Sequence, residues 1–152
     1  MQNVSFEIRR LAERDSGQWL NLRRRLWDEL TESEHIEEMR EIFGQQETQL
    51  VLVAELDERE IVGFLEASIR PFVEDCRTDH VGYIEGWYVL PEHRRTGAGS
   101  ALVRAAEEWA KASRCEEMAS DTELGNEQGL AAHQSLGYEV TSRLIHLRKE
   151  IC

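Results

Sequence analysis

Apolar residues recur along this chain at two spacings, and each spacing predicts one kind of element. Apolar positions three and four residues apart are typical of a helix with one buried face, and alternation of apolar with polar residues is typical of a strand. The helical spacing predicts helices over 16–30, 33–43 and 126–136, and another from the glycines at 97 and 99 to about 113. The alternating or short apolar runs predict strands over 4–9, 49–56, 61–70, 81–89 and 116–120, with one or two more over 138–150.

The order of these elements indicates the fold class. A short charged turn at 57–60 joins two of the strands as a hairpin, whereas the helix after the glycines forms a crossover. Hairpins combined with a crossover predict an α/β (α+β) fold, with a mixed, mostly antiparallel central sheet and helices on both faces. The chain has no repeat and no low-complexity linker, so we expect one domain over 1–152.

The composition indicates which classes of binding partner the protein favours. Acidic residues number 30 against 18 basic ones, for a net charge of −12. Such a surface repels nucleic acid and anionic membranes and attracts cations, although it also promotes solubility. The chain has no apolar run of transmembrane length and no signal-peptide core, and its three cysteines are far apart, so we expect a cytoplasmic protein with free thiols. The histidines show no metal-ligand spacing, so no metal is expected.

A run with two glycines, Arg94-Arg95-Thr96-Gly97-Ala98-Gly99, lies between the predicted strand over 81–89 and the next helix. The first turn of a helix offers free backbone N–H groups and a positive dipole end, and glycine permits positive φ and lets an anion approach the main chain. The run lacks the Gly-Lys-Ser/Thr of a Walker loop, and Leu102 stands where the dinucleotide fingerprint needs a third glycine. The run is a candidate phosphate loop, with an ordinary strand–helix turn as the alternative.

Two carboxylates are candidates for binding a cation. Glu85 lies in the middle of an apolar strand beside two glycines, where it needs a partner or a cleft because an unpaired buried charge is costly. Its alternative is a buried ion pair with Arg23 or Arg24. Asp121 follows the predicted strand over 116–120, at the edge of the sheet where ligands of α/β proteins gather; its alternative is a turn aspartate.

The loop pattern, Arg/Gln-x-x-Gly-x-Gly/Ala after a strand, resembles the pyrophosphate loop of the GNAT superfamily of acyl-CoA-dependent N-acetyltransferases. Asn126-x-x-Gly129-x-x-Ala132-His133-x-x-x-Gly137-Tyr138 has the spacing of a second GNAT segment. The resemblance implies the GNAT fold, a bulge in the strand before the loop, and acetyl-CoA as cosubstrate. It implies acetyl-CoA contacts by Trp87, Tyr88, Val89, Arg94, Arg95, Thr96, Gly97, Ala98, Gly99, Ser100 and Asn126.

Four further segments resemble the aminoglycoside 6'-N-acetyltransferases within that superfamily. They are Leu22-Arg23-x-x-Leu26-Trp27, Gly63-Phe64-x-Glu66-Ala67-Ser68-Ile69-Arg70, Glu85-Gly86-x-x-Val89-Leu90-Pro91 and Glu117-Met118-Ala119-Ser120-Asp121-Thr122. This resemblance implies acetyl transfer to the 6'-amine of a cationic antibiotic, by proteins that are often homodimers; the apolar stretch 144–147 is a candidate contact. It implies catalytic roles for Asp121, Glu85 and His133, and a substrate site formed by Trp27, Phe72, Glu85, Asp121 and Ser142.

The implied reaction is direct transfer, with no covalent intermediate on the protein. A carboxylate orients the amine, which must lose a proton before it attacks the thioester, and the thiolate leaves protonated. His133 replaces the family tyrosine that protonates the thiolate, and a packing histidine is the alternative. For Trp27, the alternative to a role in the substrate site is a packing role in the hydrophobic core. The open alternatives for function are acetylation of a polyamine or a protein amine, and a non-catalytic acyl-CoA sensor.

Overall fold

The computed structural model describes residues 5–152, apart from the side chain at position 58. Contacts between residues divide the chain into two compact units, Met1–Ser120 and Asp121–Cys152. The first unit holds one five-stranded sheet and three α-helices, and the second holds a fourth α-helix. No α-helix in the described residues is long and apolar enough to cross a membrane.

The sheet has the strand order β1-β2-β3-β4-β5. Pairing is antiparallel from β1 to β4, and β5 lies parallel to β4 after the helical crossover. The predicted mixed, mostly antiparallel sheet is therefore confirmed. The strands are Glu7–Arg10 (β1), Gln49–Leu56 (β2), Glu60–Arg70 (β3), Val81–Val89 (β4) and Met118–Ser120 (β5). The predicted start of β1 at Val4 lies outside the described residues.

The helices begin where the sequence supplies caps. They are Ser16–Leu26 (α1), Glu32–Phe43 (α2), Ala98–Ala112 (α3) and Glu127–Ser135 (α4). At the start of α2, the Thr31 hydroxyl accepts from the Glu34 amide and the Glu34 carboxylate accepts from the Thr31 amide, a reciprocal capping box. The prediction that the first helix extends to residue 30 is wrong, because Trp27 leaves the helical conformation at φ −120° and ψ 78°.

Helices cover both faces of the sheet. Phe64 and Leu65 are successive residues of β3, and both are fully buried, so both faces of that strand are covered. Phe64 packs with Trp19 and Leu22 of α1, while α3 contacts β2, β3 and β4 with its buried Leu102 and neighbours. Helices on both faces, as predicted, follow from these contacts.

A polar cluster around Arg23 lies within the core between α1, α2 and β3. The Arg23 guanidinium donates to both Glu66 carboxylate oxygens at 2.6 Å and also pairs with Glu38. Its Nε donates to His35 Nδ1, and His35 Nε2 therefore donates to the Trp27 carbonyl. Burial raises the pKa of the Glu66 carboxyl, and its hydrogen bonds to Arg23 and Trp19 oppose that rise.

The strands predicted over 138–150 are absent. In the second unit, residues 138–152 contain no strand, and they carry exposed apolar side chains at Val140, Leu144, Ile145, Leu147 and Ile151. A strand needs a neighbour to receive its backbone hydrogen bonds, and residues 121–152 contain no second strand. The prediction was wrong because apolar alternation does not supply that neighbour.

Candidate active site

The glycine run forms a tight loop between β4 and α3. Arg94 turns back onto the strand, because its Nε donates to the Val89 carbonyl at 2.8 Å and its guanidinium lies over the Tyr88 ring. The Thr96 hydroxyl donates to the His93 carbonyl at 2.6 Å. Arg95 and Gly97 both have positive φ, at 62° and 93°. The loop thus contains a left-handed arginine, which is unusual for a residue with a long side chain.

Helix α3 begins directly at this loop. Gly97 precedes the helix and has no side chain to cap it, so the first-turn N–H groups face the loop, as an anion site requires. A Cβ added to Gly99 would lie 3.2 Å from the Trp87 indole, so the helix passes very close to β4. The structure therefore brings together the predicted loop residues and Trp87, Tyr88 and Val89. The two glycines act differently: Gly97 permits the positive φ, and Gly99 permits the close approach.

The end of β4 extends past its parallel neighbour. Strand β5 pairs with β4 only at Gly82, Tyr83 and Ile84 and ends at Ser120, so β4 has no partner in β5 beyond Ile84. The register with β3 also shifts here, since Gly86 pairs with Glu66 and Ile84 pairs with Ala67. Glu85 is the extra residue of this bulge. The bulge implied by the family resemblance is present, and it lies directly after the last pair between β4 and β5.

Glu85 has partners on the neighbouring strand. Its Oε1 accepts from the Ser68 hydroxyl at 2.6 Å and from Arg70 Nε at 2.9 Å, and its Oε2 accepts from an Arg70 terminal nitrogen at 2.6 Å. The Arg70 guanidinium lies 3.7 Å from the centre of the Tyr83 ring. The alternative in which Glu85 pairs with Arg23 or Arg24 is wrong: Arg23 pairs with Glu66 and Glu38.

These contacts leave the Glu85 carboxylate able to accept a further hydrogen bond. An ionised carboxylate has about four lone-pair sites, and on Glu85 two hydrogen bonds go to Oε1 and only one goes to Oε2. The side chain is 30% exposed, so the carboxylate is accessible from solvent. The arrangement can therefore accept one further hydrogen bond, at Oε2, from a cationic amine.

The two aromatic residues predicted for a substrate site differ in setting. Trp27 is half-buried, with the Arg23 guanidinium 4.7 Å from its ring centre and the Phe64 ring edge-on at 6.1 Å. It packs against the core at the end of α1, as its alternative held. Phe72 is 76% exposed and follows β3 in the 71–80 loop.

The remaining predicted residues lie in the second unit. Asp121 is exposed and directly follows β5, and Ser142 is exposed in the C-terminal segment. Asn126 caps α4, since its Oδ1 accepts from the Gly129 amide at 3.0 Å. His133 Nδ1 donates to the Gly129 carbonyl at 2.7 Å, and its ring lies edge-on to Tyr138 at 5.9 Å. His133 therefore has packing contacts, and its Nδ1 carries a hydrogen.

The model of the Acetyltransferase (GNAT) family matches residues 19–138, a stretch that includes the bulge at Glu85 and the glycine loop. The chain belongs to the GNAT acetyltransferase family. The resemblance drawn from the loop and from the segment at Asn126 is thereby confirmed.

Similar proteins match this acetyltransferase over nearly its whole length. An aminoglycoside N(6')-acetyltransferase type 1 from Klebsiella aerogenes is 40% identical over 146 residues, covering 95% of this chain and 96% of the relative. One of the same name from Acinetobacter haemolyticus is 41% identical over 147 residues, covering 96% and 99%. The crystal structure of the aminoglycoside antibiotic 6'-N-acetyltransferase AAC(6')-Ih from Acinetobacter baumannii has a TM-score of 0.91 at 39% identity, covering 97% and 100%. AAC(6')-Iy in complex with the bisubstrate analogue CoA-S-monomethyl-acetylneamine has a TM-score of 0.90 at 33% identity, covering 97% and 99%.

In this GNAT acetyltransferase, the sequence pattern singled out Glu85 but assigned no role to the residues that hold it. Ser68 and Arg70 lie two apart on β3 and hence on one face, which was the signal available. What places Glu85 opposite them is the bulge in β4, and strand alternation alone cannot locate a bulge.

Proposed function

We propose that this protein is an aminoglycoside N(6')-acetyltransferase, which transfers the acetyl group of acetyl-CoA to the 6'-amine of aminoglycosides and thereby confers resistance. The observation that carries this proposal is the likeness, over 95% of the chain, to proteins named for this activity. The net charge of −12 favours a polycationic substrate, and disfavours nucleic acid and membrane partners. In this proposal, residues 1–152 act as one N-acetyltransferase domain.

Acetyl-CoA is proposed to bind at the loop before α3 and along the end of β4, beyond its last pair with β5. The first-turn N–H groups of α3 and the arginines of the loop supply positive charge for its pyrophosphate. The backbone at the end of β4 has no partner in β5 beyond Ile84, so we propose that it contacts the pantetheine arm and polarises the thioester carbonyl. The proposed contacts are Trp87, Tyr88, Val89, Arg94, Arg95, Thr96, Gly97, Ala98, Gly99, Ser100 and Asn126. In the described residues, no cluster of His, Cys, Asp or Glu is arranged to hold a metal ion.

The amine is proposed to be oriented by carboxylates. Glu85 accepts one hydrogen bond from the 6'-ammonium at Oε2, and Asp121 binds the ammonium group as a second carboxylate. Trp27, Phe72 and Ser142 complete the substrate site. The ammonium then loses a proton through water, the nitrogen attacks the thioester carbon, and the C–N bond forms as the C–S bond breaks.

His133 is proposed to protonate the departing thiolate. Its Nδ1 hydrogen is already donated to the Gly129 carbonyl, so only Nε2 can deliver a proton. Neutral His133 has a lone pair at Nε2, and it must therefore enter this step doubly protonated. Counting both ends of the reaction, the amine loses two protons, the thiolate gains one, and one is released to solvent.

We also propose a cytoplasmic homodimer. The three cysteines are free, in keeping with a reducing compartment. The exposed apolar side chains between Val140 and Ile151 form a surface that a second copy of the chain would cover. The two copies would thereby give residues 138–152 the strand partner that the second unit lacks.

Release of CoA thiol from acetyl-CoA tests the activity. We expect turnover with kanamycin and other congeners bearing a 6'-amine, and hardly any with a 6'-hydroxyl congener, because a neutral alcohol is a poorer nucleophile. Mass spectrometry of the product should place the acetyl group on the 6'-nitrogen. Turnover only with a polyamine or a lysine peptide would support the alternative enzyme classes, and acetyl-CoA binding without turnover on any amine would support a sensor.

A further inference from the structure

The 71–80 loop, which joins β3 to β4, is tied to the chain just before β5. The Glu117 carboxylate accepts three hydrogen bonds at Oε1, from the Thr78 amide at 2.7 Å, the Thr78 hydroxyl at 2.7 Å and the Arg77 amide at 2.9 Å. The Arg77 amide also reaches Oε2 at 3.1 Å. A single side chain thus satisfies two backbone donors and one hydroxyl of the loop.

A further contact strengthens this attachment. His80 Nε2 donates to the Ser113 carbonyl at 2.8 Å, so the end of the loop is held to the segment after α3. Cys76 precedes Arg77 in the same loop, and its amide donates to the Val73 carbonyl at 3.1 Å. The hydrogen bonds from Thr78 and Arg77 lower the pKa of the Glu117 carboxyl, whereas burial and the Glu117 charge raise the pKa of the Cys76 thiol. Glu117 is therefore held as a carboxylate, and Cys76 is held as a thiol.

The 71–80 loop, which Glu117 holds, contains an aromatic side chain that does not pack in the core. Among residues 5–120, Phe72 is the one clearly exposed large apolar side chain, at 76% exposure. It lies two residues beyond Arg70, whose guanidinium pairs with the Glu85 carboxylate. The loop therefore begins directly after the group of Ser68, Arg70 and Glu85, here called the Glu85 cluster, and it presents an apolar ring to solvent two residues beyond Arg70.

We infer that Glu117 is a positioning residue for the amine substrate, because it holds the 71–80 loop so that Phe72 remains beside the Glu85 cluster. This inference rests on the proposed function. A loop without this attachment would have to be ordered when substrate binds, and that entropic cost would weaken binding. Glu117 makes no contact of its own with the substrate, and it acts only through the loop.

The test compares Glu117→Gln with Glu116→Gln. The two changes remove the same charge at adjacent positions, but Glu116 is exposed and makes no side-chain hydrogen bond within the described residues. We expect Glu117→Gln to raise the KM for kanamycin roughly five- to thirty-fold, with the KM for acetyl-CoA unchanged. The Glu116→Gln control should match the wild-type protein in both constants.

A double-mutant cycle tests whether Glu117 acts through Phe72. If it does, Glu117→Gln combined with Phe72→Ala should raise the KM for kanamycin no further than Phe72→Ala alone. If the KM increase of the double variant equals the product of the two single increases, Glu117 acts independently of the Phe72 ring, and the inference is overturned. If Glu117→Gln does not fold, Thr78→Val removes the hydroxyl donor alone and should give a smaller increase of the same kind.

A second readout does not depend on acetylation. In a Cys152→Ser background, Glu117→Gln should speed the labelling of Cys76 by a thiol reagent and expose the Arg77 bond to trypsin, relative to Glu116→Gln. If labelling and cleavage are the same in Glu117→Gln as in Glu116→Gln, Glu117 does not hold the 71–80 loop. If the wild-type protein acetylates no aminoglycoside, the proposed function and the substrate assigned here both fail. If it is active and Glu117→Gln behaves like Glu116→Gln, only the positioning role fails.

Discussion

Arg70 and Ser68 set the orientation of the Glu85 carboxylate, and Arg70 contributes more of the hydrogen bonds that do so. Arg70 supplies two of the three hydrogen bonds, and its ring contact with Tyr83 limits its own freedom. A carboxylate freed from this fork could rotate away from the amine, and small misplacements of catalytic groups are costly in rate. Positioning by Arg70 therefore affects turnover more than affinity.

We predict that Arg70→Gln lowers kcat with kanamycin by roughly ten- to a hundred-fold. Its KM for this polycationic substrate should not increase, because the Glu85 charge becomes uncompensated and still attracts ammonium. Steady-state kinetics would be compared with those of Arg40→Gln, the same change on the exposed face of α2. A kcat within twofold of that control, or an increased KM with normal kcat, would contradict this role.

Asp15 gives a residue-scale prediction about stability. It is buried and accepts from Arg9 at 2.7 Å and from the Ala12 amide at 2.8 Å, and these bonds lower the pKa of its carboxyl. A lowered folded-state pKa stabilises the fold above the unfolded pKa of about 3.9, and this contribution is lost as the pH falls through the folded value.

We therefore predict that Asp15→Asn lowers the free energy of unfolding at pH 7 by roughly 1.5–3 kcal/mol. The difference from wild type should shrink as the pH falls below about 4. Urea unfolding across a pH series measures it, with the exposed Asp28→Asn as the control. A difference that does not change with pH would mean that Asp15 stabilises the fold by packing rather than by charge.

At the scale of elements, the junction of β4, the loop and α3 depends on two glycines for separate reasons. Gly97 has φ 93° with no atom near its Cβ position, so a side chain there is opposed only by backbone conformation. Gly99 is helical, and its Cβ would crowd the Trp87 ring at 3.2 Å.

We predict that Gly97→Ala destabilises the fold by about 1–2 kcal/mol, the cost of a left-handed alanine. Gly99→Val should raise the KM for acetyl-CoA roughly ten-fold or more in a folded protein, because the added side chain forces the Trp87 ring and the helix apart. If the ring contact is the cause, adding Trp87→Leu should restore part of the acetyl-CoA affinity that Gly99→Ala loses. Adding Trp87→Leu to Gly97→Ala should restore less, because Gly97 does not contact the ring. Equal effects of the second change in both backgrounds would exclude the ring contact as the cause.

At the scale of the whole molecule, the C-terminal segment decides the oligomeric state that we propose. Five apolar side chains of residues 138–152 are exposed in the single chain, among them Leu147 at 91% and Ile151 at 87%. We predict a dimer by light scattering and a monomer for Ile145→Asp combined with Leu147→Asp. Leu124→Asp, at an exposed apolar position outside this segment, should remain dimeric. A monomeric wild-type protein at micromolar concentration would contradict the proposal.

The sequence by itself determined most of the elements and the family. Strands β2 and β4 have the predicted bounds, and α2 to α4 begin within two residues of the predictions, because apolar periodicity and capping residues act over a few neighbours in the chain. The glycine run, the segment at Asn126 and the order of the elements led to the GNAT assignment, which the family match over residues 19–138 confirms.

Only the tertiary structure decided which charged groups meet. Arg23 pairs with Glu66 rather than Glu85, Glu85 pairs with Arg70, and Glu117 holds a loop some forty residues earlier in the chain. Each of these pairings depends on strand register, on a bulge or on a crossover. A bulge moves a side chain to the other face of its strand, so it changes partners without changing the local pattern that predicts the strand.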